Sequence, residues 1–249
     1  MEFTDLPLDR NCQVISYHEA GIWVIEKATG VLSHPNHGNL KAGQKSLLRA
    51  DYCHKKEAYH WQNENGKQQW LYLCHRLDSP TSGIIIGCTN NELASIVKKT
   101  FLDKKIKKTY FAITGVNPRI RMGTWKDSLV ERKINGKLRV QPGKGSLAIT
   151  KAGKMRERNG KVNFQLLELL PLTGKTHQLR VQCMIRKVPI LGDKTYGDFS
   201  LNRKFQQATR IQRLCLHASQ IEFNIEYERE EIKIFAESPL PRQMGKIFG

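Results

Sequence analysis

No two cysteines in this chain stand in a C-x-x-C pair; the six that occur are scattered at 12, 53, 74, 88, 183 and 215. A zinc ribbon and a dithiol redox motif are therefore not indicated, and isolated thiols fit a reducing compartment. No apolar run approaches the ~20 residues that a membrane helix needs. The opening Met1-Glu2-Phe3-Thr4-Asp5 is acidic, where a secretory leader would be basic and then apolar. These absences lead us to expect a cytoplasmic protein. There is no internal repeat and no low-complexity tract. Acidic residues are scarce, 23 against 41 lysines and arginines, and the formal net charge of +18 predicts attraction to a polyanion. Nucleic acid is the first candidate. A membrane surface is the second, but no amphipathic basic helix of sufficient length supports it.

A hydrophobic share of 39% in 249 residues is enough for a globular core. We expect a loose lead-in over residues 1–12 and a single domain over 13–249. Val14–Tyr17 and Gly21–Glu26 read as strands joined by a turn at His18-Glu19-Ala20. Residues 36–70 are polar, with Leu47, Leu48 and Tyr52 spaced as one helical face and 62–69 as an exposed loop. Thr89 and Glu92 form a capping-box pattern ahead of a helix carrying Leu93, Ile96, Val97 and Phe101. That helix is expected to end in the basic run 104–108, whose lysines suit either a helix C-terminus or a phosphate. Strands are expected at 109–115, 128–130, 147–150, 162–170, 214–217, 220–225 and 231–235. A further helix is expected from His177 to about Arg186, capped by Thr176 and stopped before Val188-Pro189. Strands outnumber helices without alternating with them, which favours an α+β fold.

Two chemistries can be set aside. Gly174-Lys175-Thr176 looks like the end of a phosphate-binding loop, but the glycine required five residues earlier is Leu169. His34 with His37, and His54 with His60, lack the Cys or acidic spacing of a metal site.

The organising stretch is Leu73-Cys74-His75-Arg76-Leu77-Asp78-Ser79-Pro80-Thr81-Ser82-Gly83, running into Ile84-Ile85-Ile86. A polar loop turned by Ser-Pro feeds a short β-branched strand, so a carboxylate and a guanidinium sit at the mouth of a sheet. Spacing alone would also allow Asp78 to be a turn former and Arg76 a surface charge. The motif resembles the signature of the RluA-type pseudouridine synthases. Lys27-Ala28-Thr29-Gly30-Val31-Leu32-Ser33-His34-Pro35 is similar to an earlier family segment, with Ala28 in place of proline. Lys108-Thr109-Tyr110, Gly174-Lys175-Thr176-His177-Gln178-Leu179-Arg180-Val181-Gln182 and Arg213-Leu214-Cys215-Leu216-His217-Ala218 match others, in the family's order. In the second of these, Lys175 replaces Arg and Gln182 replaces His.

The resemblance implies a pseudouridine synthase fold with a mixed, mostly antiparallel sheet, and a short form without an N-terminal RNA-binding domain. It implies an isomerase that converts uridine to pseudouridine in tRNA, ribosomal RNA or both, without a cofactor. No membrane, metal or protein partner is expected, and the protein is expected to be a monomer. Asp78 is the implied catalytic residue, as a nucleophile on the ribose or as a base that removes a ribose proton. Arg180 is the implied counter-charge, sharing a helix face with His177 and Met184. Tyr110 would stack on the uracil. Arg76 would fill the gap left by the extruded nucleotide. His75, Lys108, Lys175, Thr176, His177 and Arg213 complete the expected RNA-binding set. The basic stretches 98–108 and 151–161 are candidate phosphate tracks, and loops 36–70 and 116–162 would read the RNA by shape and unstacked bases. The rival from another class is a basic RNA-binding or ribosome-assembly protein without catalysis.

Overall fold

The computed structural model describes residues 6–36, 43–160 and 162–248. The first five residues of the expected lead-in, residues 37–42 of the first rim loop (His37 among them) and residue 161 lie outside these. The chain divides into two compact units. The first takes in the described residues up to Ile106 and returns for Gln220–Ser238. The second holds Lys107–Ser219 and the described residues from Pro239 onward.

In the first unit β1 (Gln13–His18) and β2 (Ile22–Lys27) form an antiparallel hairpin. Gly21 closes it at φ +99°, where a Cβ would lie 2.1 Å from the Thr89 hydroxyl oxygen. β3 (Val31–Leu32) pairs in parallel with β4 (Lys45–Ser46). β5 (Asp51–Cys53), β6 (Ala58–Gln62), β7 (Gln68–Leu73) and β8 (Ser82–Cys88) follow, with β2, β8, β7, β6 and β5 each antiparallel to the next. Every residue of β8 is buried, as its unbroken apolar run requires. α1 (Asn91–Leu102) lays Leu93, Ala94 and Val97 against Ile84 and Ile86. Leu93 and Val97 are wholly buried, and each such side chain stabilises by about 1.5–3 kcal/mol.

Four local expectations in this unit are corrected. The helix cap is Asn90, whose Oδ1 accepts from the Leu93 N–H at 2.8 Å. Thr89 stands one residue ahead of that cap, and its N–H is held by the Gly21 carbonyl at 2.9 Å, so it is not open to the Glu92 side chain that a capping box requires. The helix ends at Leu102, ahead of the basic run. Lys104 turns left-handed at φ +59°, and Lys107 and Lys108 enter a strand. Leu47 and Leu48 form no helix. Both are fully buried in an extended segment held by bonds from Asp9 N–H to the Leu47 carbonyl and from Leu47 N–H to the Leu32 carbonyl. The Asp9–Leu47 bond, the Arg49 N–H on the Pro7 carbonyl and the Leu8–Leu48 bridge tie down the segment before β1, with Leu6 and Asp9 buried, so this part of the lead-in is not loose.

In the second unit β9 (Lys107–Gly115), β10 (Gly123–Ile134), β11 (Lys137–Pro142), β12 (Ser146–Arg158) and β13 (Phe164–Pro171) are antiparallel in the order β11-β10-β12-β13-β9. α2 (Gln178–Ile185) packs Leu179 and Cys183 against the β9 and β13 core. Its first turn is not capped by Thr176. His177 stands there at φ +53° without a side-chain cap bond, and Gln178 Oε1 accepts the Lys175 N–H instead. α3 (Phe199–Thr209) was not expected. Phe205 is its one fully buried residue, edge-on to Phe164 at 5.8 Å. β14 (Leu216–Tyr227) merges two expected strands and gives residues 220–227 to the first unit, where they pair with β15 (Glu230–Glu237). A short α4 (Arg242–Gly245) follows. Among the described residues no helix is long and apolar enough to cross a membrane.

Candidate active site

Asp78 lies half-buried in the loop between β7 and β8, in the first unit. Its neighbours are fixed from three directions. Ser33 Oγ donates to the Leu77 carbonyl at 2.8 Å and accepts the Leu77 N–H at 3.0 Å. Thr29 Oγ1 donates to the Pro80 carbonyl at 2.7 Å, and the Gly30 N–H to that of Ser79 at 2.8 Å. Lys27, wholly buried at the end of β2, extends its ammonium to the carbonyls of Ala28 (3.0 Å), Val31 (2.7 Å) and Ser79 (3.1 Å). A buried ammonium survives only when its N–H groups find oxygens, so this loop and this lysine require each other. The turn itself closes with Thr81 N–H on the Asp78 carbonyl at 2.9 Å. Gly83, the second residue of β8, then stands opposite Lys27 at φ +115°.

The two residues before Leu77 differ in setting. His75 accepts the Ile86 N–H on Nε2 at 3.1 Å and lies against Phe101, with ring centroids 4.6 Å apart. It latches the loop to β8. Arg76 is exposed, with Nη1 3.5 Å from His34 Nε2.

The remaining expected residues lie in the second unit. Tyr110 is half-buried on β9 opposite Leu169 and packs on the core. Lys108 is partly buried on the same strand, and burial pushes its ammonium pKa down. Arg180 projects from α2 into a bidentate pair with Asp193, Nε to Oδ2 at 2.8 Å and Nη2 to Oδ1 at 2.9 Å. Arg180 is 5% exposed and Asp193 1%, so the pair is shielded from water and salt. Asp193 Oδ1 also accepts the N–H groups of Thr195 (2.8 Å) and Tyr196 (3.0 Å). Burial alone would raise the Asp193 carboxyl. The Arg180 hydrogen bonds and charge, with those two backbone donors, outweigh it and hold the carboxyl below its usual range. Tyr196 lies under the guanidinium at 5.0 Å. Its hydroxyl accepts the Val140 N–H at 2.9 Å and meets His177 Nδ1 at 2.7 Å. The expected His177–Arg180–Met184 face thus converges on Tyr196.

Asp193 and Tyr196 were not among the expected site residues. The readable signal was Gly192-Asp193 followed by donors two and three residues on, the pattern of an Asx-turn. Gly192 sits at φ +76°, where a Cβ would be 1.9 Å from the Arg213 carbonyl oxygen. Arg213 precedes β14 and folds back on the segment leading into it, with Nε to the Leu214 carbonyl at 3.0 Å and Nη2 to that of Leu216 at 3.3 Å. Lys175 is exposed and Thr176 half-buried in the turn before α2. Gln182, at the other departure from the family pattern, is fully buried. It accepts from Thr150 Oγ1 at 2.6 Å and donates to Asp127 Oδ2 at 2.8 Å, a carboxylate shared with Arg186 at 2.9 Å. An amide offers both a donor and an acceptor there, which explains why glutamine fits.

A family model described as RNA pseudouridylate synthase matches residues 21–184. The chain is 30% identical to a ribosomal large subunit pseudouridine synthase C of Vibrio vulnificus, over 94% of this chain and 68% of the relative. It is 33% identical to a tRNA pseudouridine synthase C of Vibrio cholerae, over 68% of this chain and 72% of the relative. The solved structure of human RNA Pseudouridylate Synthase Domain Containing 1 superposes with a TM-score of 0.66 at 22% identity, covering 94% of this chain and 86% of that one. That likeness carries the fold.

Proposed function

The chain belongs to the RNA pseudouridylate synthase family and isomerises uridine to pseudouridine in RNA, and from that premise we propose that Asp78 is the group that opens the reaction. The reaction breaks the bond from ribose C1′ to uracil N1 and makes one from C1′ to C5. C5 gives up a proton and N1 gains one, so atoms and electrons balance without a redox partner or a group donor. Asp78 either bonds to C1′ as a nucleophile or removes a ribose proton; both begin from the carboxylate. Arg180 and Tyr110 take the roles that the resemblance assigns them: a positive charge that favours the carboxylate, and a ring that stacks on the uracil with a hydroxyl for the late proton transfer from C5. Arg76 fills the space of the extruded nucleotide. Lys108, Lys175, Thr176 and His177 contact the RNA, and His75 and Arg213 support the segments that carry these groups. Residues 13–249 serve as one catalytic domain.

One observation carries this reading: the Asp78 loop is stitched by Lys27, Thr29 and Ser33 at the head of a fully buried strand. Buried support of this kind is what a loop needs if its catalytic side chain is to be held in one geometry. The target lies in tRNA or ribosomal RNA, the substrates named for the two bacterial relatives, and the protein works in the cytoplasm as a monomer.

Tritium release from C5-labelled bulk tRNA and ribosomal RNA tests the proposal. The wild type should release label, while Asp78→Ala should release none yet keep its fold and its RNA affinity. Equal release by the two proteins would remove Asp78 from its assigned role.

A further inference from the structure

Beside the Asp78 loop, within the first unit, stands a cluster of rings that the proposed chemistry does not use. His34 stacks on Tyr52 with centroids 5.3 Å apart and planes 26° from parallel. Tyr52 meets His54 edge-on at 5.0 Å and Tyr59 edge-on at 4.9 Å. Tyr59 is fully buried and anchors the group, its hydroxyl donating to the Ser33 carbonyl at 2.9 Å. His34, Tyr52 and His54 are only half-buried, so three polar-edged rings remain partly open to solvent. The cluster is joined to the loop twice, by the Ser33–Leu77 bonds and by the 3.5 Å approach of Arg76 to His34.

The charge around it is positive. Arg76 and Lys55 are exposed, and Lys56 lies over the Trp70 ring at 4.2 Å; of the acids here, Glu57 is paired with Lys98 at 2.7 Å, Asp51 is exposed, and Asp78 is the proposed catalytic group. Flat rings beside cations are the means by which proteins hold unpaired bases: each base stacks on a ring while the cations track its phosphates.

We infer that His34, Tyr52 and His54 form a stacking shelf for an unpaired RNA base adjacent to the uridine that Asp78 acts on. The inference rests on the proposed role of Asp78. It adds a specificity element, since a target whose neighbour is paired, or absent as a base, cannot fill the shelf.

The test uses the full-length protein and two RNA hairpins with a seven-nucleotide loop. Both carry one loop uridine. In one its neighbours are adenosines; in the other they are abasic. Affinity is read by fluorescence anisotropy. The wild type should bind the adenosine hairpin about 10-fold more tightly, the order that one stacked base confers. Tyr52→Leu keeps apolar bulk against Tyr59 but loses the flat ring. It should bind the adenosine hairpin about 10-fold more weakly than wild type and no longer distinguish the two RNAs. His54→Ala should shift the same way, and Tyr52→Phe should restore the discrimination. If the wild type binds both hairpins alike, or if Tyr52→Leu and His54→Ala discriminate as the wild type does, the shelf is refuted. Asp78→Ala separates the two readings. It should discriminate between the hairpins like the wild type, so a failed shelf leaves the tritium-release result standing, whereas an active Asp78→Ala overturns the shelf's placement beside the Asp78 target even where the hairpins are still told apart.

Discussion

Replacing Asp193 by asparagine should destabilise the protein more than most single changes of one atom. The variant keeps the shape of the side chain but withdraws the negative charge from Arg180, which is 5% exposed. One Asn oxygen cannot reproduce the two bonds at 2.8 and 2.9 Å and also accept from Thr195 and Tyr196. Removing one partner of a buried ion pair costs about 3–5 kcal/mol. In a chain of this size that lowers Tm by about 10 °C. The pH dependence has a definite sign. Because the folded carboxyl is held below its usual value, its contribution is complete above the unfolded pKa, about 3.9. It is lost as pH falls through the lower folded value. Urea unfolding followed by circular dichroism should therefore show a constant gap between wild type and Asp193→Asn from about pH 8 to 5, closing as the pH drops further below about 4. A cycle with Arg180→Met completes the argument. Neighbours in one pair should couple by about 1–3 kcal/mol, so the double variant should lose less than the sum of the singles. A loss under about 1 kcal/mol for Asp193→Asn, or strict additivity, would refute the view that this pair is what fixes Arg180.

Two other changes have calculable outcomes. Lys27→Met withdraws the ammonium from the carbonyls of Ala28, Val31 and Ser79; that of Ser79 keeps the Gly30 N–H, and each carbonyl left unsatisfied costs about 1–3 kcal/mol. Thermal melts should register the loss, and hydrogen exchange should rise at the Gly30 and Thr81 amides, whose bonds close the Asp78 loop. Tyr196→Phe removes the hydroxyl that accepts from Val140 and meets His177 but keeps the ring under Arg180. It should lose about 1–3 kcal/mol of stability in urea titrations. Tyr196→Leu should lose a further ~0.5–2 kcal/mol for the cation–π contact.

The strands and the Asp78 loop were legible because their signals are local. An unbroken apolar run marks β8, a Ser-Pro turn precedes it, and Gly83 adopts the φ that only glycine accepts readily. Where the reading failed, a distant group had outbid a local one. Thr89 carries a sound capping pattern, yet Gly21 takes its N–H, and the cap moves to Asn90. Leu47 and Leu48 have helical spacing with Tyr52, yet Asp9 and Leu32 hold them extended. α3 carries a single fully buried residue, too little for a periodic stripe to be seen.

The site divides along the same line. Residues proposed from a motif, such as Asp78 and Arg180, can be found by pattern, because the resemblance rests on residue type and spacing. Asp193 is 13 residues from Arg180, beyond a helix end and a proline, and no periodicity links them. What joins them is that neither charge could be buried alone. That requirement is itself a usable inference: an arginine on a helix whose neighbouring positions are all apolar or amide must find its carboxylate elsewhere. The candidates are then few, and the one preceded by a left-handed glycine and followed by backbone donors is already half-partnered before the arginine arrives. Such a carboxylate costs less to bury, which is why Asp193, rather than a more flexible surface acid, can hold Arg180 in place.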